Sequence, residues 1–171
     1  LAAGAGRDVA FLAEELLAAE KPYQIIAMDH RYNEKETKIV NGFWDRRGIR
    51  NQTTSIKLNL SQWSTLENTM ASSLASKQVV AMFCVRFWKP ELVKEIARSA
   101  SIYSGVLFGV SHFCKPSVGA PWNFAHPSEK TVLERDELSN LFQERWDILH
   151  NEIANDSDHG RSMVHFVARR R

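Results

Sequence analysis

Short apolar runs alternate with stretches of helical periodicity along this chain. Leu1 to Ala3 is apolar and runs into a small-residue turn, Gly4-Ala5-Gly6-Arg7. Val9, Leu12, Ala13, Leu16 and Leu17 then fall on one helical face, which predicts a helix over about 8–20 with Asp8 as N-cap and Lys21-Pro22 as its end. A strand follows at about 24–28, a polar helix at about 33–47, and a strand from Ser55 to Leu58. Ser61 or Ser64 caps a helix over about 64–75. Val79-Val80-Ala81-Met82-Phe83-Cys84 is continuously apolar, the pattern of a central parallel strand buried on both faces.

Pro90 opens the next helix, with Leu92, Val93, Ile96 and Ala97 as its apolar stripe. Val106 to Val110 reads as a strand and about 112–131, with three prolines and a glycine, as a long loop. A short helix at about 135–143 precedes two strands, Trp146 to Ile153 and Met163 to Arg169. Asn155-Asp156-Ser157-Asp158-His159-Gly160 supplies the hairpin turn between them. Strand and helix thus alternate five times before a closing hairpin. That order predicts one α/β domain, residues 1–171, with a mostly parallel sheet, helices on both faces and an antiparallel C-terminal hairpin.

The bulk numbers fit that picture. The 171 residues are 44% hydrophobic and 25% charged, enough for one domain with a full core. Net charge is +2, too small to argue for nucleic acid, and Arg169-Arg170-Arg171 reads as a solvated basic tail. No apolar run approaches the ~20 residues that span a bilayer. Cys84 and Cys114 are the only cysteines, and the histidines form no H-x-x-x-H pair. We expect no metal, no disulfide framework, and a cytoplasmic or other reducing intracellular compartment. The chain starts at Leu1, inside its first predicted strand, and is expected to be a fragment of a longer protein.

The turn carries the first chemical signal. Gly4 and Gly6 can take positive φ and present no Cβ to an approaching ligand. The strand at 24–28 ends in Asp29, whose carboxylate can accept both hydroxyls of a ribose. A glycine turn, helix, strand and acid within about 30 residues form the pattern of a nucleotide-binding βαβ unit. Val9 stands where dinucleotide binders place a third glycine, so S-adenosylmethionine, which has no phosphate, fits better than NAD. The bland alternatives are a tight structural corner for the turn and a capping role for Asp29.

These residues resemble a known family. Leu1-Ala2-Ala3-Gly4-Ala5-Gly6-Arg7-Asp8 with Phe11-Leu12-Ala13 looks like the first motif of class I S-adenosylmethionine-dependent methyltransferases. The nearest likeness is to the tellurite-resistance type and to the methyltransferase domains fused to rhodanese domains. Val85-Arg86-Phe87-Trp88-Lys89-Pro90, then Pro121, Leu133, Glu137-Leu138 and Trp146, and finally Val167-Ala168-Arg169-Arg170 follow that likeness in order. The resemblance implies a Rossmann-like sheet, truncated at its N-terminus, and transfer of a methyl group to a small-molecule acceptor. It places Gly4 and Gly6 against the methionine part of the cofactor, with Ala2, Ala3 and Ala5 close by. Asp29 would hold the ribose, with His30 at the ribose or adenine edge. Asn59, beside Leu60, would accept the adenine amino group where the family usually has an acid. Phe83 and Cys84 would border the reacting methyl. Two departures stand out: Ala2 replaces a usual glycine, and the family's acid ahead of position 1, with the helices before it, lies outside this sequence.

Methyl transfer asks for alignment and exclusion of water more than for side-chain chemistry. An oxygen or nitrogen nucleophile can require a base, and His112, just past the strand at 106–110, is the candidate; a hydrogen-bonded loop histidine is the alternative. Arg86 is a candidate for an anionic acceptor, and Trp122 and Phe124, in the long loop, for lining its pocket. Cys84 also reads as a small buried hydrophobe. Two other functions compete: a non-catalytic methyltransferase-like module that binds a partner, and an NAD-dependent oxidoreductase.

Overall fold

A computed structural model describes residues 1–73, 78–156 and 160–171. Its elements are α1 (Arg7–Ala18), β1 (Ile25–Asp29), α2 (Glu34–Arg46), β2 (Thr53–Lys57), α3 (Trp63–Ser73), β3 (Ala81–Val85), α4 (Pro90–Arg98), β4 (Leu107–Phe113), α5 (Glu137–Phe142), β5 (Trp146–Asp156) and β6 (Arg161–Arg170). Single 3-10 turns lie at Arg50–Gln52 and Glu129–Thr131. Two compact units divide the chain, Leu1–Leu60 and Ser61–Arg171. The predicted end of the third helix at 74–75 and residues 157–159 of the hairpin turn lie outside the described residues.

In the first unit β1 and β2 pair in parallel, from Ile25 opposite Thr53 to Asp29 opposite Lys57. Val9, Ala10 and Ala13 of α1 join Ala27, Tyr32, Val40, Trp44 and Ile49 in one buried cluster. The helical spacing of these apolar residues puts them on the faces that meet there. Asp8 is not the cap of α1. Gly6, at φ 77°, starts the helix two residues earlier, and Asp8 sits in the first turn, where its charge suits the helix dipole. The cap of α2 is Asn33, whose side-chain oxygen accepts the Glu36 N–H at 3.0 Å. Residues 1–3 form no strand. Ala3 N–H donates to Met28 O at 3.0 Å, and one such bond does not make a ladder.

The second unit holds a four-stranded sheet in the order β3-β4-β6-β5. β3 and β4 are parallel, whereas β6 runs antiparallel to both β4 and β5. The α4 stripe predicted from Leu92, Val93, Ile96 and Ala97 is buried as expected. Phe108, Phe142 and Trp146 form an aromatic nucleus, with Phe108 and Phe142 stacked at 5.1 Å. Within this sheet β3 is the end strand rather than a central one, and Phe83 is 37% exposed, so burial on both faces does not hold.

β4 starts one residue later than predicted and ends three residues later, at Phe113. Ser111, His112 and Phe113 pair with His165, Val164 and Met163, so β6 extends the strand into residues whose own composition reads as loop. α3 starts at Trp63, which puts Ser64 in its first turn rather than at its cap. The C-terminal arginines are tied down. Arg171 pairs with Asp147 at 2.9 Å, and Arg170 lies 5.6 Å from the Trp146 ring. Among the described residues no helix is long and apolar enough to cross a membrane.

Phe142 is fully buried between Phe108, Trp146 and Phe166. Phe142→Ala is expected to destabilise the protein by about 3–5 kcal/mol in chemical denaturation, through lost burial and the cavity left behind. A loss below about 1 kcal/mol would show that this nucleus does not hold the second unit together.

Candidate functional site

The glycine turn is built from left-handed residues. Ala2, Gly4 and Gly6 have φ of 52°, 55° and 77°. For Gly4 and Gly6 that conformation is free of steric penalty; for Ala2 it stores about 1–2 kcal/mol, the visible consequence of an alanine where the resembled family has glycine. Gly6 is further fixed from α2. A Cβ on Gly6 would meet the Trp44 indole at 2.9 Å and Val40 at 3.0 Å, and Trp44 Nε1–H donates to Gly6 O at 3.1 Å. The turn therefore rests on a buried tryptophan that no local motif announces.

Asp29 is the centre of the site. It closes β1, is 2% exposed, and accepts the Gly4 N–H on Oδ2 at 2.8 Å. Its Oδ1 accepts the Arg31 N–H at 2.9 Å. The Arg31 side chain covers the rest, with Nε 3.2 Å from Oδ1 and Nη2 3.4 Å from Oδ2. Burial alone would raise the Asp29 pKa, but the Arg31 side chain and the two backbone donors outweigh it and hold it below the ordinary carboxylate value. The site thus presents a fixed anion at neutral pH. His30 Nδ1 lies 3.4 Å from Oδ1 with its side chain 71% exposed. The Tyr32 hydroxyl is buried next to this corner without a hydrogen-bond partner among the described residues, and burial pushes its pKa up to about 12.

The first unit thus brings Gly4 and Asp29 together through a direct hydrogen bond, with Ala2, Ala3, Ala5 and Gly6 completing the turn. Asn59 and Leu60 follow β2; Leu60 is buried and Asn59 exposed. Leu58 N–H donates to Asp29 O at 3.1 Å, which ties this segment to the end of β1.

The candidates of the second unit separate into open and buried groups. Phe83 and Cys84 are neighbours on a strand, so their side chains leave on opposite faces. The Phe83 ring lies over Gly109, where a Cβ would meet it at 2.5 Å. Cys84 is fully buried, and burial pushes its thiol up to about 11, so it packs as a neutral core group. The two side chains cannot both border one reacting methyl.

Arg86, just past β3, is exposed and holds a left-handed φ of 52°, with its N–H donated to Ser111 O at 2.7 Å. A long side chain in that conformation is strained, and such strain concentrates at functional edges.

His112 lies inside β4, not after it, and is 3% exposed. Its Nε2 lies 2.6 Å from Thr131 O and donates to it, so Nδ1 carries the free lone pair. Burial lowers its pKa, against the raising effect of the Thr131 bond, and the ring is neutral at pH 7. This geometry ties the long loop to the sheet. Trp122 does the same: it is buried with Phe113, Val132 and Met163, and its Nε1–H donates to Pro127 O at 2.8 Å. Phe124 lies against Trp122 at 4.9 Å and is the more open of the two, at 39% exposed.

Three residues near the turn escaped the sequence reading. Arg31 carried a signal, since it stands two positions past the acid. Trp44 could have been found as the i+4 neighbour of Val40 on α2. Nothing in the sequence marks the Tyr32 hydroxyl.

No family model matches the chain, and no curated protein matches it in sequence. Solved structures do match in fold. The chain is similar to the N1-methyltransferase of 1,6-didemethyltoxoflavin from Burkholderia thailandensis, solved with S-adenosylhomocysteine. That match has 15% identity and a TM-score of 0.62, over 99% of this chain and 68% of that one. It is also similar to the glycopeptide N-methyltransferase MtfA with S-adenosylhomocysteine, at 14% identity and TM-score 0.61, over 99% and 81%. The [4+2]-cyclase SpnF matches at 12% identity and TM-score 0.67, over 98% and 72%. The chain therefore has the α/β fold of S-adenosylmethionine-dependent methyltransferase structures, a fold that the cyclase shares.

Gly6→Ala tests the construction of the turn. It places a Cβ against Trp44 at a positive φ and is expected to destabilise the protein by about 2–4 kcal/mol, read by denaturation. Gly48→Ala, also at positive φ but with open space around its Cβ, is the comparison and should lose only about 1 kcal/mol. Equal losses would remove Trp44 from the account.

Proposed function

We propose that the chain binds S-adenosylmethionine at the Gly4–Asp29 corner and takes part in transferring its methyl group to a small-molecule acceptor. The observation that carries this reading is the Asp29 carboxylate, buried and ionised at the end of β1 and pinned by the turn's own Gly4 N–H at 2.8 Å. The corner fits a nucleoside. A Cβ built on Gly4 would meet only the end of the Arg31 side chain, at 3.0 Å, so the backbone there is open to a ligand once that side chain moves. Val9 in place of a third glycine disfavours a pyrophosphate, and the fold likeness to methyltransferase structures supports the same choice of cofactor.

The cofactor supplies an activated methyl on a sulfonium leaving group. The residues of this chain hold and orient it: Asp29 takes the ribose hydroxyls, the Ala2–Gly6 backbone lies along the amino-acid part, and Asn59 accepts from the adenine. Arg86 and Phe124 are our candidates for acceptor contacts. His112 and Cys84, both buried, are assigned to packing, so the reading favours an acceptor whose own lone pair attacks without a strong base. We place the chain with the tellurite-resistance and rhodanese-fused methyltransferase types, as one Rossmann-like domain with helices on both faces, acting in a reducing compartment.

A module of this fold that transfers no methyl is the second reading. The strained Ala2 and the likeness to a cyclase favour it.

Calorimetry with S-adenosylmethionine and S-adenosylhomocysteine, with NAD as control, tests the proposal. Micromolar binding of both, no binding of NAD, and at least about a tenfold loss in Asp29→Ala are expected, since a charged acceptor of two hydroxyls is removed. A folded sample that binds neither, or that binds NAD instead, contradicts it.

A further inference from the structure

The carboxylate of Asp29 offers about four lone-pair positions. Two are filled by backbone donors, Gly4 N–H at 2.8 Å and Arg31 N–H at 2.9 Å, which belong to the fold and do not move with a side chain. The other two are filled by one guanidinium, through Nε at 3.2 Å and Nη2 at 3.4 Å. A vicinal diol needs those same two positions. The guanidinium also lies across the open side of the turn, 3.0 Å from where a Gly4 Cβ would stand. The Arg31 side chain is 60% exposed while the carboxylate beneath it is buried, so it can swing out into solvent.

We propose that Arg31 is an affinity- and specificity-determining residue, a guanidinium plug that a ribose diol must displace from Asp29. The inference rests on the reading of this corner as a nucleoside site. Two consequences follow from the shared lone pairs. Removing the guanidinium tightens binding of any neutral ligand that brings both hydroxyls, because no bond has to break first. It changes nothing for a nucleoside that brings neither hydroxyl and has no group lying over the Gly4 turn, because that ligand competes neither for Asp29 nor for the space the guanidinium covers. The plug also sets which ligands the native protein accepts. A diol replaces both lost hydrogen bonds with two of its own, whereas a single hydroxyl or a flat aromatic edge does not.

The pair is exposed on one side, so the competing bond is weaker than a fully buried charged hydrogen bond, and the expected gain is about tenfold. The test uses probes of zero net charge, so that lifting a positive charge does not by itself attract the ligand; the two nucleosides carry no charged group at all. Adenosine, S-adenosylhomocysteine and 2′,3′-dideoxyadenosine are titrated into wild type, Arg31→Ala and Arg31→Lys, with binding read by calorimetry or by amide chemical shifts. Both backbone donors to Asp29 survive these substitutions, and circular dichroism checks that the variants stay folded.

The inference expects adenosine and S-adenosylhomocysteine to bind Arg31→Ala about tenfold tighter than wild type, and the dideoxy ligand to bind both proteins equally. Arg31→Lys, a point charge without the fork, should fall between. Adenosine binding that is unchanged or weaker in a folded Arg31→Ala overturns the inference and leaves the nucleoside site standing. An equal gain for the dideoxy ligand overturns it too, since the effect would then not pass through the diol. Absence of adenosine and S-adenosylhomocysteine binding in all three proteins overturns both the inference and the reading beneath it.

Discussion

The first unit depends on one hydrogen bond, from Gly4 N–H to the buried carboxylate of Asp29. It joins the turn ahead of α1 to the end of β1 and lets the chain keep an anion in the protein. A carboxylate at 2% exposure would be strongly disfavoured if left bare. Here each oxygen meets one fixed N–H, and the acid stays ionised. The left-handed residues of the turn aim Gly4 N–H at Asp29, and Trp44 beneath Gly6 holds them in place. Packing in the α1–α2 core thereby sets the geometry of a polar corner. The strain at Ala2 is part of the same arrangement.

The second unit shows the complementary principle, a polar inventory largely withdrawn from chemistry. His112 and Cys84 are the side chains whose reactivity the sequence most suggests, and both are buried and neutral. His112 fastens the loop after β4 through Thr131, and Trp122 reinforces that attachment by packing against Phe113 and Met163 of the sheet. Arg86 and Phe124 remain open, and Arg86 is held in a strained backbone conformation. A reaction that needs orientation and dryness more than proton transfer is compatible with this division.

The sequence made the order of elements legible because each rests on local periodicity: the stripes of α1 and α4, Pro90 at the start of α4, and the acid closing β1. It misled where tertiary pairing overrides local preference. β4 runs through Ser111 and His112 because β6 lies alongside, and that moved His112 from a loop to a covered face. The cap of α1 was misplaced because a left-handed glycine can start a helix without a side-chain oxygen. In the site, the turn and Asp29 were readable from residue type and spacing. Arg31 and Trp44 carried a signal in their spacing to Asp29 and Val40, but their contacts with Asp29 and Gly6 did not, since both join a side chain to a place that the turn's conformation creates.

A crystal structure of the protein with S-adenosylhomocysteine tests the central claim most directly. The account predicts both ribose hydroxyls within hydrogen-bond distance of Asp29, the Gly4 N–H still on the same carboxylate, and the Arg31 side chain turned away. A ligand seated elsewhere, or a ribose that never reaches an Asp29 still paired with Arg31, would contradict it.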